Sequence, residues 1–298
     1  MLSHGSGQSR LAALDAEHPE WRPLLALIDA ASREAQRRDW ARVVPSPEHD
    51  GVGGRPLLDG AVVCVPPELV GRWVRHILAL AAGAGTEIEP LARAIDAGRL
   101  DPSLLFAAAI SHDVERFHAI ARVDADYRGV LRGLASLIAM PMLQACEREW
   151  RDRVPASWPH GYCPICGAWP SLAETRGLAG ARHLRCGCCG GDWPAPSPRC
   201  PFCGETDHER LGSLVSAEAV ERYAIDVCDR CQGYLKTFTT LTPIRPGDVL
   251  LEDLATLVLD MAALERDYRR PAMRGCAIDV SVVAEPRRFW NRFVARRP

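Results

Sequence analysis

Four Cys-x-x-Cys pairs follow one another in the 298-residue chain: Cys163-Pro-Ile-Cys166, Cys186-Gly-Cys-Cys189, Cys200-Pro-Phe-Cys203 and Cys228-Asp-Arg-Cys231. A tight two-residue turn lets each pair present two thiolates to one ion, and a tetrahedral ion takes four such ligands at about 2.3 Å. The eight cysteines therefore predict two complete sites, with the chain around them folded as small, loop-rich modules. Glycine follows the second cysteine at Gly167, Gly190 and Gly204, where a residue without a Cβ lets the chain turn back. The fourth pair has Gln232-Gly233 instead, so its turn is expected to differ.

Nineteen residues separate Cys166 from Cys186 and twenty-four separate Cys203 from Cys228, enough in each case for a hairpin. Pairing first with second and third with fourth gives two successive ribbon or rubredoxin-like modules. Nested pairing, first with fourth, is the alternative, because spacing fixes no connectivity. Spacing also leaves the metal open, since zinc and iron both accept four thiolates in a tetrahedron. Disulfide exchange would call for a thioredoxin-like βαβ context, which four knuckles in a row do not provide.

Residues 1–154 read as an all-helical domain, with apolar residues recurring every three or four positions. One stripe holds Trp21, Leu24, Leu25, Leu27, Ile28 and Ala31; another holds Leu69, Val70, Trp73, Val74, Ile77 and Leu78, just after Pro66-Pro67. Asp101-Pro102 reads as an N-cap with proline at the first helical position. A long helix is expected from Tyr127 to Trp150, kinked at Pro141. Glycine, proline and cysteine then rise, and short strands are expected at Ala181–Arg185 and Arg222–Asp226. The modules fall at 155–196 and 197–245. Residues 246–298 should form a C-terminal helix and tail packing back on the scaffold, with Leu250, Leu251, Leu254, Leu257, Val258, Met261 and Leu264 on one apolar face. The segment after Arg269 is Arg-rich and poorly patterned, and reads as solvated or partner-facing.

The balance of 36 basic against 38 acidic residues, net −2, supplies no global positive field, which argues against a nucleic-acid partner. The N-terminus shows no basic start followed by an apolar stretch, and the most apolar segments, near Ile77–Ala84 and Val249–Leu264, are short or interrupted by acids. The expectation is a cytoplasmic chain without membrane insertion. Twelve cysteines in such a chain point to metal rather than disulfides. No Ser-His-Asp array, phosphate-binding glycine loop or open zinc site marks it as an enzyme.

Two residues stand apart as candidates for a partner or redox role. Cys188 is a third cysteine inside the second knuckle, either a tolerated small residue or a spare, redox or sulfur-carrying thiol. Lys236 is the single lysine against thirty-five arginines, either kept by chance or placed where a compact ammonium is wanted and a guanidinium would not fit. Cys64, Cys146 and Cys276 read as ordinary core or partly buried thiols, and His160 and His183 as surface residues or supports of the sites. Tyr162, Trp169, Trp193, Phe202 and Tyr234, beside the knuckles, would shield the sulfurs or offer a docking surface.

The stretch from about 160 to 262 resembles the FdhE family of formate dehydrogenase accessory proteins. The resemblance rests on Gly161-Tyr-Cys-Pro-Ile-Cys-Gly167, Arg182-His-Leu-Arg-Cys186, Arg199-Cys-Pro-Phe-Cys-Gly204, Cys228-Asp-Arg-Cys-Gln-Gly-Tyr-Leu-Lys236 and Glu252-Asp-Leu-Ala-Thr-Leu-Val-Leu-Asp260. It implies a helical N-terminal domain followed by two rubredoxin-like modules. It also implies metal on the eight knuckle cysteines, with iron favoured over zinc in the functional state. The implied role is cytoplasmic maturation of respiratory formate dehydrogenase, with the catalytic subunit of that enzyme as partner before export and with support for its cofactor assembly or activation. A rubredoxin-like electron-transfer protein using S₄-bound iron is the other reading. Cys188 and the missing glycine after Cys231 depart from the family pattern.

Overall fold

The structure, a computed structural model, describes residues 7–84, 88–121, 128–215, 223–271 and 274–285. Its first half is built from α1 (Gly7–Glu17), α2 (Arg22–Ala35), α3 (Arg38–Ala41), the short strand β1 (Val62–Val65), α4 (Pro67–Gly83), α5 (Glu89–Asp96), α6 (Pro102–Ile110), α7 (Val114–Ala121) and α8 (Arg128–Trp150). The α4 stripe buries as its spacing predicts, from Leu69 through Leu78. In α2 the buried set is Leu25, Leu27, Ile28, Ala31 and Ala35, while Leu24 faces solvent. Asp101 caps α6 by accepting from the Ser103 amide at 2.9 Å, with Pro102 opening the helix.

Pro141 lies inside α8, where it frees the Leu137 carbonyl. At the neighbouring carbonyl, Ile138, the buried Trp73 indole donates at 3.0 Å and ties α4 to α8. The proposed helix start, Tyr127, lies outside the described residues. Among the described residues the stretch Gly129–Arg153, rather than either segment singled out from sequence, is the one long and apolar enough to cross a membrane; 72% of its most apolar window is buried inside the molecule. That burial is what a central core helix requires.

The second half contains β2 (Pro170–Arg176), β3 (Ala181–Cys186), β4 (Asp192–Pro194), β5 (Leu211–Leu214), β6 (Tyr223–Cys228), β7 (Gly233–Thr240), α9 (Val249–Ala255), α10 (Leu257–Leu264) and β8 (Ser281–Ala284). Two antiparallel ladders, β4-β3-β2 and β7-β6-β5, meet through a parallel pairing of β2 with β7. Leu172 there faces Lys236, and the register runs on to Arg176 opposite Thr240. The two cysteine modules are thus halves of one six-stranded sheet. Both expected strands occur; Arg222 lies outside the described residues.

Two features depart from the sequence reading. The C-terminal helix is interrupted at Thr256, whose hydroxyl donates to the Glu252 and Asp253 carbonyls at 2.8 and 3.2 Å. The interruption rotates the apolar face: Leu251, Leu259 and Ala263 bury, while Val258, Met261 and Leu264 are left exposed. The tail is also not simply solvated. β8 pairs in parallel with β1, some 220 residues earlier in the chain, and Ile278 and Val280 bury beside it. The part of the tail beyond Glu285 lies outside the described residues.

Candidate metal centres

The eight knuckle thiols converge as two quartets. Cys163, Cys166, Cys186 and Cys189 form one, and Cys200, Cys203, Cys228 and Cys231 the other, with the sulfurs of each within 4.8 Å of one another. The structure therefore brings first pair to second and third to fourth. Sγ–Sγ separations of 3.5 Å (Cys163–Cys189) and 3.6 Å (Cys166–Cys186) in the first, and 3.7 Å (Cys200–Cys231 and Cys203–Cys228) in the second, lie close to the edge of about 3.8 Å of a tetrahedron with 2.3 Å metal–sulfur bonds. Both quartets fit a tetrathiolate ion.

Backbone geometry explains why each knuckle closes. In the first three, the amide of the residue after the second cysteine donates back to the carbonyl of the first: Gly167 to Cys163, Gly190 to Cys186 and Gly204 to Cys200, at 2.9 to 3.0 Å. These glycines have φ of 75°, 78° and 77°. Gln232 holds the same left-handed place in the fourth knuckle, at φ 52°, with its side chain donating to the Asp229 carbonyl at 2.9 Å. The fourth turn thus keeps the left-handed conformation but fills it with glutamine. Amides also face the sulfurs directly, Gly191 to Cys189 at 3.3 Å and Cys189 to Cys186 at 3.5 Å. Neighbouring thiols, Cys163 first, hold Cys186 well below the ordinary thiol pKa, toward the thiolate that a metal takes.

The quartets differ in surroundings. All four cysteines of the first are buried within the main apolar core of the molecule. Its first knuckle is clamped by the Leu57 and Leu58 amides, which donate to the Pro164 and Ile165 carbonyls at 2.8 and 3.0 Å, and by the Cys276 amide on the Gly167 carbonyl at 2.9 Å. In the second quartet Cys200 and Cys228 are buried, Cys203 is half-buried and Cys231 is exposed. Phe202 packs so closely there that a Cβ on Gly233 would lie 2.8 Å from its ring.

Lys236 lies inside the fold. It is 1% exposed, and its ammonium donates to the Asp253 carbonyl (2.6 Å) while pairing with Asp253 Oδ1 (2.7 Å) and Asp260 Oδ2 (2.6 Å). Arg270 completes the cluster on the same two carboxylates, at 2.6 and 2.8 Å, and Tyr234 donates to Asp260 at 2.7 Å. A compact ammonium surrounded by carbonyls and carboxylates is the role its isolation among arginines suggested; its burial was not legible, because sequence does not show which acids close over it. Burial alone would raise the Asp253 pKa, but Arg270 and Lys236 hold it below the usual carboxylate value.

A second buried pair, Glu174 and Arg185, had no sequence signal beyond charge. Arg185 donates to Glu174 Oε1 and to the Ile244 carbonyl, both at 2.6 Å, and to the Gly190 carbonyl at 3.2 Å, so it braces the second knuckle from behind. His183 bonds Asp192 at 2.7 Å, and His160 stacks on Tyr162 with ring centroids 4.8 Å apart; neither reaches a quartet. Trp193 and Tyr234 are buried, whereas Trp169 and Phe202 meet edge to face at 5.4 Å on the wall of a cleft that also contains half-buried Cys188. Cys146 is buried and Cys276 half-buried as expected, but Cys64 is exposed, on the outward face of β1.

A family profile described as FdhE, C-terminal domain matches residues 199–275, spanning the second quartet, the Lys236 cluster and both C-terminal helices. Curated proteins named "Protein FdhE homolog" match as well: that of Aquifex aeolicus at 32% identity over 117 residues, and that of Pseudomonas aeruginosa at 36% over 114. Residues 199–275 are thus similar to the FdhE C-terminal domain. The Aquifex match spans 37% of this chain and 40% of the relative, and the Pseudomonas match 36% and 37%, so sequence similarity covers little more than a third of either relative's length. The crystal structure of the FdhE protein from Pseudomonas aeruginosa superposes with a TM-score of 0.57, covering 91% of this chain and 94% of that one at 23% identity. The FdhE fold thus extends over the helical half, where the sequences have diverged.

Proposed function

We propose that this chain acts as FdhE-family proteins do, as a cytoplasmic accessory factor for maturation of respiratory formate dehydrogenase. In this reading it binds the catalytic subunit before export and supports assembly or activation of its cofactor. The match of residues 199–275 to the FdhE C-terminal domain carries the proposal. Residues 1–154 supply a helical scaffold, 155–196 and 197–245 the two modules, and 246–298 the segment that packs back. Cys163, Cys166, Cys186 and Cys189 hold one ion, and Cys200, Cys203, Cys228 and Cys231 the other. Zinc would contribute only cross-linking, whereas iron, favoured by the family resemblance, would add a one-electron couple. Lys236 acts from inside the fold, fixing α9 and α10 against β7, and Cys188 remains the thiol available for a partner or redox role.

The test is formate-dependent dye reduction in a strain lacking this gene, with the catalytic subunit quantified in parallel. Activity should vanish while the subunit persists, and Cys163→Ser or Cys200→Ser variants should fail to restore it. Unchanged activity would reject the role. Co-purification with the immature subunit under anaerobic conditions tests the binding step separately. The exposed Cys231 supports a second reading, a rubredoxin-like electron-transfer module, since a cluster open to solvent can meet a redox partner directly. That reading fails if the protein as isolated from cells contains zinc alone.

A further inference from the structure

A cleft of ≈ 250 Å³ opens where α6 and α8 of the helical half meet the first module and the returning tail. One wall is aromatic, formed by Trp169 and Phe202. Three arginines reach the cleft, and they are not equivalent. Arg270 is committed to Asp253 and Asp260 through its two terminal nitrogens. Arg132, exposed on α8, and Arg274, whose guanidinium donates to the Ser111 carbonyl at 3.0 Å, have no acidic partner among the described residues. Most arginines among the described residues are tied to carboxylates, so two guanidinium groups without one over a single cleft mark a place for an anion.

His112 adds an independent observation. It lines the same cleft in a left-handed backbone conformation (φ 52°), and its Nε2 is buried without a hydrogen-bond partner among the described residues. Buried polar atoms are rarely left unpaired, so this ring marks a polar point in the cleft lining. The guanidinium groups suit a carboxylate, while the aromatic wall suits an apolar or flat body beside it.

We infer that this cleft binds a carboxylate-bearing ligand with an apolar body, held by Arg132 and Arg274 and laid against Trp169 and Phe202. The cleft borders both quartets through Cys188 and Phe202 but uses none of the eight thiols, and it does not rest on the maturation role. Titration calorimetry of the full, metal-loaded chain with N-acetyl-phenylalanine and with its amide tests it. The acid should bind and the amide at least about tenfold more weakly, the loss expected when a charge-assisted pair is removed. Arg132→Gln should weaken the acid by about tenfold and leave the amide unchanged; this side chain is exposed, so the variant should melt like the parent. Arg274→Gln should do the same to binding. Equal affinity for acid and amide, no binding of either, or an Arg132→Gln variant that binds the acid normally would overturn the assignment. Displacement of the acid by an equal concentration of inorganic phosphate would overturn the need for an apolar body.

Discussion

The two quartets use the same four thiols, the same turns and nearly the same sulfur spacing, yet they are held in place by different physics. The first lies inside the continuous apolar core, with backbone clamps from a loop of the helical half and from the tail. The second sits at the surface on a thin apolar patch of Ile225, Val227 and Tyr234 against Leu259 and Ala263, and is anchored through buried charges, Lys236 and Arg270 on Asp253 and Asp260. A ligand set alone therefore does not say whether a site is structural. Burial and attachment decide what its loss does to the rest of the molecule.

The strongest way to break this contrast is to remove one thiol from each site. Cys166→Ser should abolish cooperative melting by far-UV circular dichroism, because it opens the core as well as the site, a loss comparable to the whole stability of a domain at about 5–15 kcal/mol. Cys231→Ser should leave the main melting transition in place and affect only the second module. Equal effects would erase the distinction. A coloured chelator gives a second view: metal should leave in two phases, and Cys231→Ser should eliminate the faster one.

Next in size is the charged anchor. Lys236→Met leaves two buried carboxylates facing Arg270 alone and should destabilise by about 3–5 kcal/mol in urea unfolding. Lys236→Arg, which keeps the charge but overfills the site, should cost about 1–3 kcal/mol. Asp253 has a lowered pKa in the fold, so it binds protons less readily there than when unfolded. Its contribution is present above the ordinary carboxylate value of 3.8 and is lost as pH falls below it through the folded value. Acid should therefore loosen the second module first, and in Lys236→Met that loss should begin at higher pH.

The smallest expected effect probes the one knuckle without glycine. Gln232 sits at positive φ, which costs a residue with a Cβ about 1–2 kcal/mol. Gln232→Gly should stabilise the second module by up to about 1 kcal/mol, less whatever its side-chain bond to Asp229 contributes. Gly204→Ala, at φ 77°, should move stability the other way by a similar amount.

What could be seen in the sequence follows the same division between local and distant causes. The cysteine pairs, the α4 stripe and the Asp101 cap are set by residues a few positions apart, so periodicity and spacing reveal them. The β1–β8 pair could not be seen, because two four-residue strands some 220 positions apart leave no local signal of each other. The break at Thr256 was hidden for a related reason: the apolar spacing runs through it, and the interruption is marked by the threonine hydroxyl on the Glu252 and Asp253 carbonyls and the Lys236 ammonium on that of Asp253. The cleft arginines became distinguishable only once the acids claimed by their neighbours were known.

The tail clamp on the first knuckle also orders events during synthesis. Cys276, which bonds Gly167, and the β8 strand leave the ribosome after all eight knuckle cysteines. The first quartet thus stays reachable while the chain is being made and is sealed only when the last strand docks onto β1. Loading of the deeper site would then precede docking of β8, whereas Cys231 of the outer site stays exposed in the folded chain.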